Sequence, residues 1–373
     1  AGSAENEPVA KSLWGFDESK FEEEKMTESE IWGRGPHGEE VRIWTISNGR
    51  GLRAKIMNLG AVLLELDVPD RRGETADIVL GYRDLESYFR NFACFGATVG
   101  PNANRIGQAA FALEGRLYHL EANDGVNNLH SGSDSFHHRV WQLVEAGENS
   151  ISFAITSPHM DLGFPGNLTM TVSYQLSEDN RLIIDYEGIC DRTSLFNPTN
   201  HSYFNLAGHN SGQVFDQLLQ ISSDSFTYAD AASIPDGQIR SVEDSPMDFR
   251  VPKPIGRDLK ADYDQLKYAG GYDHNWILRD CNGQVRPVAT LLDPVSGRRM
   301  TVSSDLPGIQ FYTGNYIDES EIGKGGCHYP RQGGVCLETQ YFPNAINVES
   351  FTSPLIYAGQ PVHSRTVFAF SVI

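Results

Sequence analysis

The sequence has few cysteines, no long apolar run and a shortage of basic residues. Its five cysteines are Cys94, Cys190, Cys281, Cys327 and Cys336. An odd number of scattered cysteines without a Cys-x-x-Cys pair argues against a disulfide framework or a thiolate metal site, and it favours a reducing compartment. No run of about 18 apolar residues is present, so no transmembrane helix is predicted. The net charge of −19 argues against nucleic acid and anionic membranes as partners, because both are polyanions.

Metal and nucleotide motifs are also missing. There are 11 histidines, but none has the His-x-His or His-Glu-x-x-His spacing of a metal site. The neighbours His137 and His138 would point to opposite faces of a strand. The glycine-rich segment 323–326 lacks both the spacing and the strand-loop-helix context of a phosphate-binding loop. We therefore predict neither a metal nor a cofactor.

Residues 1–40 form a strongly acidic segment. They contain 11 acidic and four basic side chains, which gives a net charge of −7. This composition predicts a solvated N-terminal arm, with a short helix near residues 21–26. The first residues have neither the basic nor the apolar region of a signal peptide, so a cytoplasmic location is expected. A processed N-terminus would still allow secretion or a periplasmic location.

From residue 41 onward, alternating apolar and polar residues indicate β-strands separated by turn residues. The predicted strands cover residues 41–46, 52–56, 61–69, 182–186, 285–292, 300–303, 309–313 and 365–372. The first two form a hairpin, and Asp84 is predicted to cap a short helix. Many strands without alternating helices predict an all-β fold, a large antiparallel sandwich of packed sheets, with residues 41–373 as a single domain.

Six polar, glycine-flanked stretches interrupt the strand pattern, and in an all-β protein such stretches gather at one rim. They span residues 96–111, 127–132, 197–208, 270–276, 308–318 and 338–343. Their candidate binding residues are Asn104, Arg105, His130, His201, Asp273, Gln310 and Glu338. Such side chains suit a ligand rich in hydroxyl groups. The nearby Trp276, Phe311 and Tyr312 would stack on the C–H faces of a sugar, although each taken alone is more often a core residue.

His201 and Glu338 are the two candidates for proton transfer. His201 lies among amide and hydroxyl side chains, which can hold an imidazole in one tautomer and orientation. Glu338 lies among apolar and amide neighbours. We expect the two side chains to face each other across a sugar. The plainer alternatives are a structural, hydrogen-bonding histidine and a solvated glutamate at a strand end.

Seven motifs of the chain, in this order, are similar to those of the aldose 1-epimerase (galactose mutarotase) family. They are DIVLGY (77–82), GATVG (96–100) with ANRI (103–106), NLH (128–130), TNHSYFNL (199–206), YDHN (272–275), QFYTGN (310–315) and LETQ (337–340). The resemblance runs from about residue 41 to the C-terminus, and it implies a galactose mutarotase-like β-supersandwich. It also implies an isomerase that interconverts the α and β anomers of free hexoses, such as galactose and glucose, by acid–base ring opening.

Carried over to this sequence, the resemblance implies a role for each candidate residue. Glu338 would be the general base, His201 the general acid and His130 a second imidazole at the reacting centre. The residues that hold the sugar hydroxyls would be Asn104, Arg105, Asp273 and Gln310. The expected partner is a monosaccharide, bound by a monomer or a weak homodimer.

Three other functions stay open on the sequence. A glycoside hydrolase could use Glu338 and Asp273 as a carboxylate pair, which would need a separation of roughly 5 to 10 Å. A non-catalytic sugar-binding module would not require His201 and Glu338 together. A hexose-phosphate epimerase would carry more basic residues near the pocket than Arg105.

Overall fold

The computed structural model describes residues 28–373. The helix expected near residues 21–26 lies outside the described residues. The end of the expected acidic arm is described, and Ser29–Arg34 within it forms a strand that pairs with Glu40–Ser47. The first sheet therefore begins inside the segment that the charge pattern assigned to the arm.

The described chain consists mainly of β-strands, with two short α-helices, α1 (Leu85–Arg90) and α2 (Asp264–Ala269). The first fourteen strands are β1 (Ser29–Arg34), β2 (Glu40–Ser47), β3 (Arg53–Met57), β4 (Val62–Pro69), β5 (Thr75–Asp77), β6 (Thr98–Val99), β7 (Arg105–Ile106), β8 (Ala110–Leu113), β9 (Arg116–His119), β10 (Asn128–Leu129), β11 (Gln142–Ala146), β12 (Ser150–Ser157), β13 (Leu168–Leu176) and β14 (Arg181–Cys190). The later strands are β15 (Ser194–Leu195), β16 (Thr199–Asn200), β17 (Leu218–Ile221), β18 (Ser223–Ala229), β19 (Pro235–Ser241), β20 (Lys253–Pro254), β21 (Asp273–Leu278), β22 (Arg286–Leu292), β23 (Arg298–Ser304), β24 (Gly308–Tyr312), β25 (Cys336–Gln340), β26 (Leu355–Ile356) and β27 (Val362–Val372). Short 3-10 turns occur at Gly107–Ala109, Phe136–His138, Asp161–Gly163, Lys324–Gly326 and Ala345–Asn347.

Three large sheets contain most of these strands. Sheet I has the order β1-β2-β3-β4-β5, and sheet II has nine strands in the order β11-β12-β13-β14-β27-β23-β22-β17-β20. Sheet III has the order β19-β18-β21-β24-β25. Neighbouring strands within the three sheets run antiparallel, as the pairing of β13 with β14 and of β24 with β25 illustrates. The all-β antiparallel fold predicted from the sequence is confirmed, and the predicted hairpin is present as β2 paired with β3.

Side-chain alternation explains how the sheets pack. Every second residue of β13 and of β14 is buried, as expected for strands with one face on a core. Trp44 of β2 meets Phe153 of β12 edge to face, with ring centroids 5.3 Å apart, and so joins sheet I to sheet II. One cluster of buried apolar residues includes members of all three sheets, among them Trp276 and Phe311 of sheet III. The three sheets therefore share one core. This core fixes the sheets, and the loops at their edges, relative to one another.

Helix α1 begins where the sequence predicts. The carboxylate of Asp84 accepts hydrogen bonds from the backbone N–H of Ser87 at 3.0 Å and from its hydroxyl at 2.9 Å, which is the bonding of an N-cap. Within the described residues, no helix has both the length and the apolar character needed to cross a bilayer.

A buried ion pair ties the turn at Lys324–Gly326 to sheet I. The ammonium of Lys324 pairs with the carboxylate of Asp77 and donates to the carbonyl oxygen of Leu64 at 2.7 Å. The two charged side chains are only 13% and 15% exposed. The other oxygen of Asp77 accepts from the backbone N–H groups of Leu66 and Val79. The turn is therefore held by a charge-assisted contact that water scarcely reaches.

Removal of the Lys324 ammonium should lower the free energy of unfolding substantially. Lys324→Ala leaves the carboxylate of Asp77 buried without a counter-charge, and we expect a loss of about 3–5 kcal/mol in the free energy of unfolding. The measurement is urea denaturation followed by tryptophan fluorescence. The double variant Lys324→Met with Asp77→Asn removes both charges and should recover much of the loss. A change below about 1 kcal/mol in Lys324→Ala would show that the pair is effectively solvated.

Candidate active site

A cavity of about 270 Å³ is lined by residues of sheet III and of the polar stretches that the sequence singled out. Six of the seven candidate residues line it: Asn104, Arg105, His130, His201, Asp273 and Glu338. The seventh, Gln310, is not a lining residue but hydrogen-bonds to Asp273. Segments that are far apart in the sequence thus converge on one cavity, as expected for a rim of polar loops.

The last two strands of sheet III, β24 and β25, place Glu338. It lies on β25 directly opposite Gln310 of β24, and directly opposed residues point to the same face of a sheet. The side chain of Glu338 is only 3% exposed, and its Oε1 lies 3.7 Å from Nε2 of His201. Its Oε2 has no hydrogen-bond partner among the described residues. The carboxyl group of this cavity-lining residue therefore keeps one buried oxygen with unused hydrogen-bonding capacity.

His201 is held by the neighbouring chain segment around Gly96. The backbone N–H of His201 donates to the carbonyl of Ala97 at 2.9 Å, and its carbonyl accepts from the N–H of Gly96 at 3.1 Å. Gly96 has φ +66°, and a Cβ there would lie 2.2 Å from the carbonyl oxygen of Leu63. Only glycine allows this close approach. The imidazole of His201 is thereby held beside the carboxyl of Glu338. At 3.7 Å the two groups are direct neighbours, so a sugar does not fit between them as the sequence led us to expect.

The second imidazole has a defined tautomer. The backbone N–H of Asn104 donates to Nδ1 of His130 at 3.1 Å, so the neutral ring carries its proton on Nε2. The backbone N–H of His130 donates in return to the carbonyl of Asn104 at 3.0 Å. The rings of His130 and His201 meet edge to face, with centroids 5.3 Å apart. His130 is thus arranged as a hydrogen-bond donor close to His201.

Arg105, Asp273 and Gln310 form a connected polar group at the cavity wall. Nε2 of Gln310 donates to Oδ1 of Asp273 at 2.8 Å, and a guanidinium nitrogen of Arg105 lies 3.9 Å from Oδ2 of Asp273. Nε of Arg105 donates to Asp124 at 2.7 Å. The sequence analysis missed Asp124, because nothing in its local pattern distinguishes it from other acidic loop residues. These contacts orient Arg105 and Asp273 toward a polar ligand.

Burial is the first cause of the large pKa shifts in the cavity. It raises the pKa of Glu338 well above its usual value; the charge of Asp273 adds to this shift, and that of Arg105 opposes it. Burial lowers the pKa of His201 to about 4 and holds that of His130 well below its usual value. Both partners of the 3.7 Å contact are thus driven toward their neutral forms.

The three aromatics proposed as sugar platforms separate into two groups. Trp276 and Phe311 are fully buried in the core shared by the sheets, so the core alternative holds for them. Tyr312 does line the cavity. Phe311 and Tyr312 are neighbours on β24, and neighbours on a strand point to opposite faces. Six further aromatics line the cavity that the sequence did not single out as sugar platforms: Tyr82, Phe92, Phe95, Tyr203, Tyr316 and Tyr329.

One group of three potential metal ligands is present among residues 28–373. His201, Cys336 and Glu338 have ligand atoms within 4.8 Å of one another. The thiol, however, lies beside Nδ1 of His201 at 3.5 Å, whereas the carboxylate lies beside Nε2. The lone pairs of the two ring nitrogens point apart, so a single ion cannot use both contacts. The arrangement suits proton transfer better than metal coordination.

Comparison with known proteins places this geometry in context. The family model described as aldose 1-epimerase matches residues 42–369. The chain is 38% identical to galactose mutarotase from Bos taurus over 321 residues, which cover 86% of this chain and 92% of that protein. It is 34% identical to aldose 1-epimerase from Escherichia coli strain K12 over 337 residues, or 90% of this chain and 96% of that protein.

Solved structures show the same similarity. An aldose epimerase homologue from C. elegans has a TM-score of 0.82 and 28% identity, over 89% of this chain and 99% of that one. Galactose 1-epimerase from Lactobacillus acidophilus has a TM-score of 0.81 and 26% identity, over 93% and 98% of the two chains. The similarity therefore extends over nearly all the strands described above.

Proposed function

The chain belongs to the aldose 1-epimerase family, and from this premise we propose that Glu338, His201 and His130 carry out its reaction. The chain is an isomerase, a mutarotase that interconverts the α and β anomers of free hexoses such as galactose and glucose. The family and the activity implied by the seven motifs are thus confirmed. The roles of individual residues are our proposal. The observation that supports them best is the contact between His201 and Glu338 inside the cavity.

The reaction needs one proton to leave the sugar and another to enter it. The reacting form is the ion pair, in which Glu338 is ionised and His201 is protonated. The carboxylate of Glu338 then removes the proton from the anomeric hydroxyl. The bond between C1 and the ring oxygen breaks, and His201 protonates the ring oxygen. The aldehyde rotates about C1–C2 and the ring closes on its other face, with both transfers reversed. The enzyme thus returns to its first protonation state without a hydride, an electron sink or a metal.

His130 assists as a neutral donor. Its Nδ1 is occupied by the N–H of Asn104, so its Nε2–H is free to donate to an oxygen of the sugar. Burial keeps the pKa of His130 low, which favours the neutral form of this ring. Arg105, Asn104 and Asp273 would bind hydroxyl groups directly. Gln310 would act through Asp273, whose carboxylate it orients.

The charge around the cavity favours an uncharged sugar. Among residues 28–373, Arg105 is the one guanidinium that lines it, and this group is already balanced by Asp124 and Asp273. The carboxylates of Asp318 and Glu321 also line the cavity. An anionic hexose phosphate would be repelled. A glycoside hydrolase would need Asp273 as a catalytic carboxyl, whereas its hydrogen bond from Gln310 and its proximity to Arg105 support a role in binding.

The same features support our proposals on partners and location. The partner would be a monosaccharide, with neither nucleic acid nor membrane, since the net charge is −19. The protein would act as a monomer or weak homodimer. The five cysteines are unpaired, which fits the reducing cytoplasm.

Polarimetry of freshly dissolved sugars tests the proposal. We expect the protein to accelerate the change in optical rotation of α-galactose and α-glucose well beyond the rate in buffer. Glucose 6-phosphate should be accelerated far less, because of the carboxylates at the cavity. The control is the same protein with lactose followed by a glucose-release assay. Release of glucose, or anomer exchange no faster than in buffer, would refute the proposed mutarotase mechanism.

A further inference from the structure

Cys336 lies against the imidazole of the proposed acid. Its Sγ is 3.5 Å from Nδ1 of His201, and the residue is fully buried. It precedes Glu338 by two positions on β25, so both side chains point to the same face of sheet III. We propose that Cys336 is a positioning residue, whose thiol holds the His201 ring with Nε2 toward the sugar while adding no charge. This inference rests on the proposed function of His201.

An imidazole that donates a proton through one nitrogen must be oriented through the other. Nε2 of His201 faces the carboxyl of Glu338, which leaves Nδ1 for orientation. At Nδ1, the side-chain partner among the described residues is the thiol of Cys336. A thiol is a weak donor and a weak acceptor. The thiol can therefore stay in contact with the imidazole of His201 in both its neutral and its protonated form, without strongly favouring either.

The thiol stays neutral in this place. Burial raises the pKa of Cys336 well above its usual value, and the negative charges of Glu338 and Asp273 raise it further. A carboxylate in the same position would stabilise the imidazolium and make it a weaker acid. The low pKa of His201 is thus consistent with a neutral partner. A histidine that gives up its proton readily suits the protonation of a ring oxygen, which is a weak base.

The other groups that face His201 do not replace this contact. Glu338 of β25 lies on the Nε2 side. A hydrogen bond to the backbone of His201 itself and the charge of Asp273 of β21 raise the pKa of His201, but less than burial lowers it. The ring of His130 meets that of His201 edge to face. The phenol rings of Tyr203 and Tyr312 lie 5.2 and 6.3 Å from it, centroid to centroid. These contacts confine the ring, and the thiol sets its rotation.

The test compares Cys336→Ala, Cys336→Ser and Cys190→Ala. We expect Cys336→Ala to lower kcat for galactose by about tenfold, since small errors in the orientation of a catalytic group are costly. KM should change less than twofold, because the groups that bind the sugar are untouched. Cys336→Ser keeps a hydroxyl near Nδ1 and should recover most of the loss. Cys190→Ala makes the same change at another buried cysteine, next to Pro165, and should behave as the parent protein.

A second measurement separates orientation from loss of structure. Nitrogen-15 NMR of the imidazoles should show one tautomer of His201 in the parent protein and a mixture in Cys336→Ala. The pKa of His201 should rise in that variant, because water can enter beside Nδ1 and solvate the imidazolium. Suppose that the parent protein is active and that His201→Asn abolishes this activity. If Cys336→Ala then changed neither kcat nor the tautomer of His201, this inference alone would be overturned. A parent protein without mutarotase activity would overturn the proposed function instead.

Discussion

Glu338→Gln is expected to remove nearly all mutarotase activity. Glutamine has the size and shape of glutamate but cannot take a proton from the anomeric hydroxyl. A positioned general base contributes roughly 10² to 10⁴-fold to a rate, so kcat should fall by at least the lower figure. KM should change little, because Arg105, Asn104 and Asp273 remain to hold the sugar. The measurement is polarimetry with α-galactose, corrected for the rate in buffer.

The same substitution should make the protein more stable. Burial raises the pKa of Glu338 above its value in the unfolded chain, so the folded state loses stability as pH rises from about 4.5 through the folded pKa. Each unit of that shift is worth about 1.4 kcal/mol. Glutamine does not ionise, and the gain in unfolding free energy should be larger at pH 8 than at pH 5. Activity is lost here because a group was removed, not because the fold was damaged.

Glu187→Gln is the matched control for this experiment. Glu187 is an exposed residue of β14, and the same chemical change there should alter neither rate nor stability. A Glu338→Gln protein that retains near-parental mutarotation would show that the carboxylate is not the base. A variant with no gain in stability at any pH would show that the carboxyl group is better solvated than its burial indicates.

His201→Asn is expected to lower kcat by well over tenfold. Asparagine can still hydrogen-bond, but it cannot carry a proton to the ring oxygen, and general acid catalysis of this kind is worth roughly 10² to 10⁴-fold. His130 cannot replace it, because burial lowers the pKa of that ring and disfavours the imidazolium that would deliver the proton. Binding of the sugar should persist, so KM should stay within a fewfold range. Polarimetry over a range of galactose concentrations separates the two constants.

His363→Asn serves as the control for His201→Asn. His363 is exposed on β27 and hydrogen-bonds to Asp185, away from the residues that line the cavity. It should leave kcat and KM unchanged. If His201→Asn kept most of its kcat and lost only affinity, His201 would be a binding residue, and the acid would have to be sought elsewhere in the cavity.

The sequence predicted the fold through local patterns that persist in the structure. Alternation identified β2, β3 and β4, and the cap at Asp84 identified α1. The strands β12 and β13 were missed, although they alternate as clearly as those that were named. The number and order of the sheets could not be predicted, because they depend on pairings between strands that are distant in the chain.

The candidate site was predicted largely through the resemblance to a family. Composition alone identified polar stretches, and it placed Phe311 beside the sugar although this residue lies in the core. The contacts of Asp124 and Cys336 depend on three-dimensional proximity, and no spacing in the sequence reveals them. Gln310 was predicted to hold a sugar hydroxyl directly. The pairing of β21 with β24 brings it instead within hydrogen-bond distance of Asp273, a contact that the sequence does not reveal.

The adjacency of β21, β24 and β25 has a consequence for how this enzyme can change over evolution. The carboxylates Asp273 and Glu338 are separated by one intervening strand, and hydrogen-bonded strands keep a spacing of about 4.8 Å. The distance between base and binding group is therefore set by the backbone itself. Asp318 and Glu321, by contrast, lie outside the strands. Sugar preference can thus change through substitution of such loop residues, while the carboxylates on the strands keep their positions.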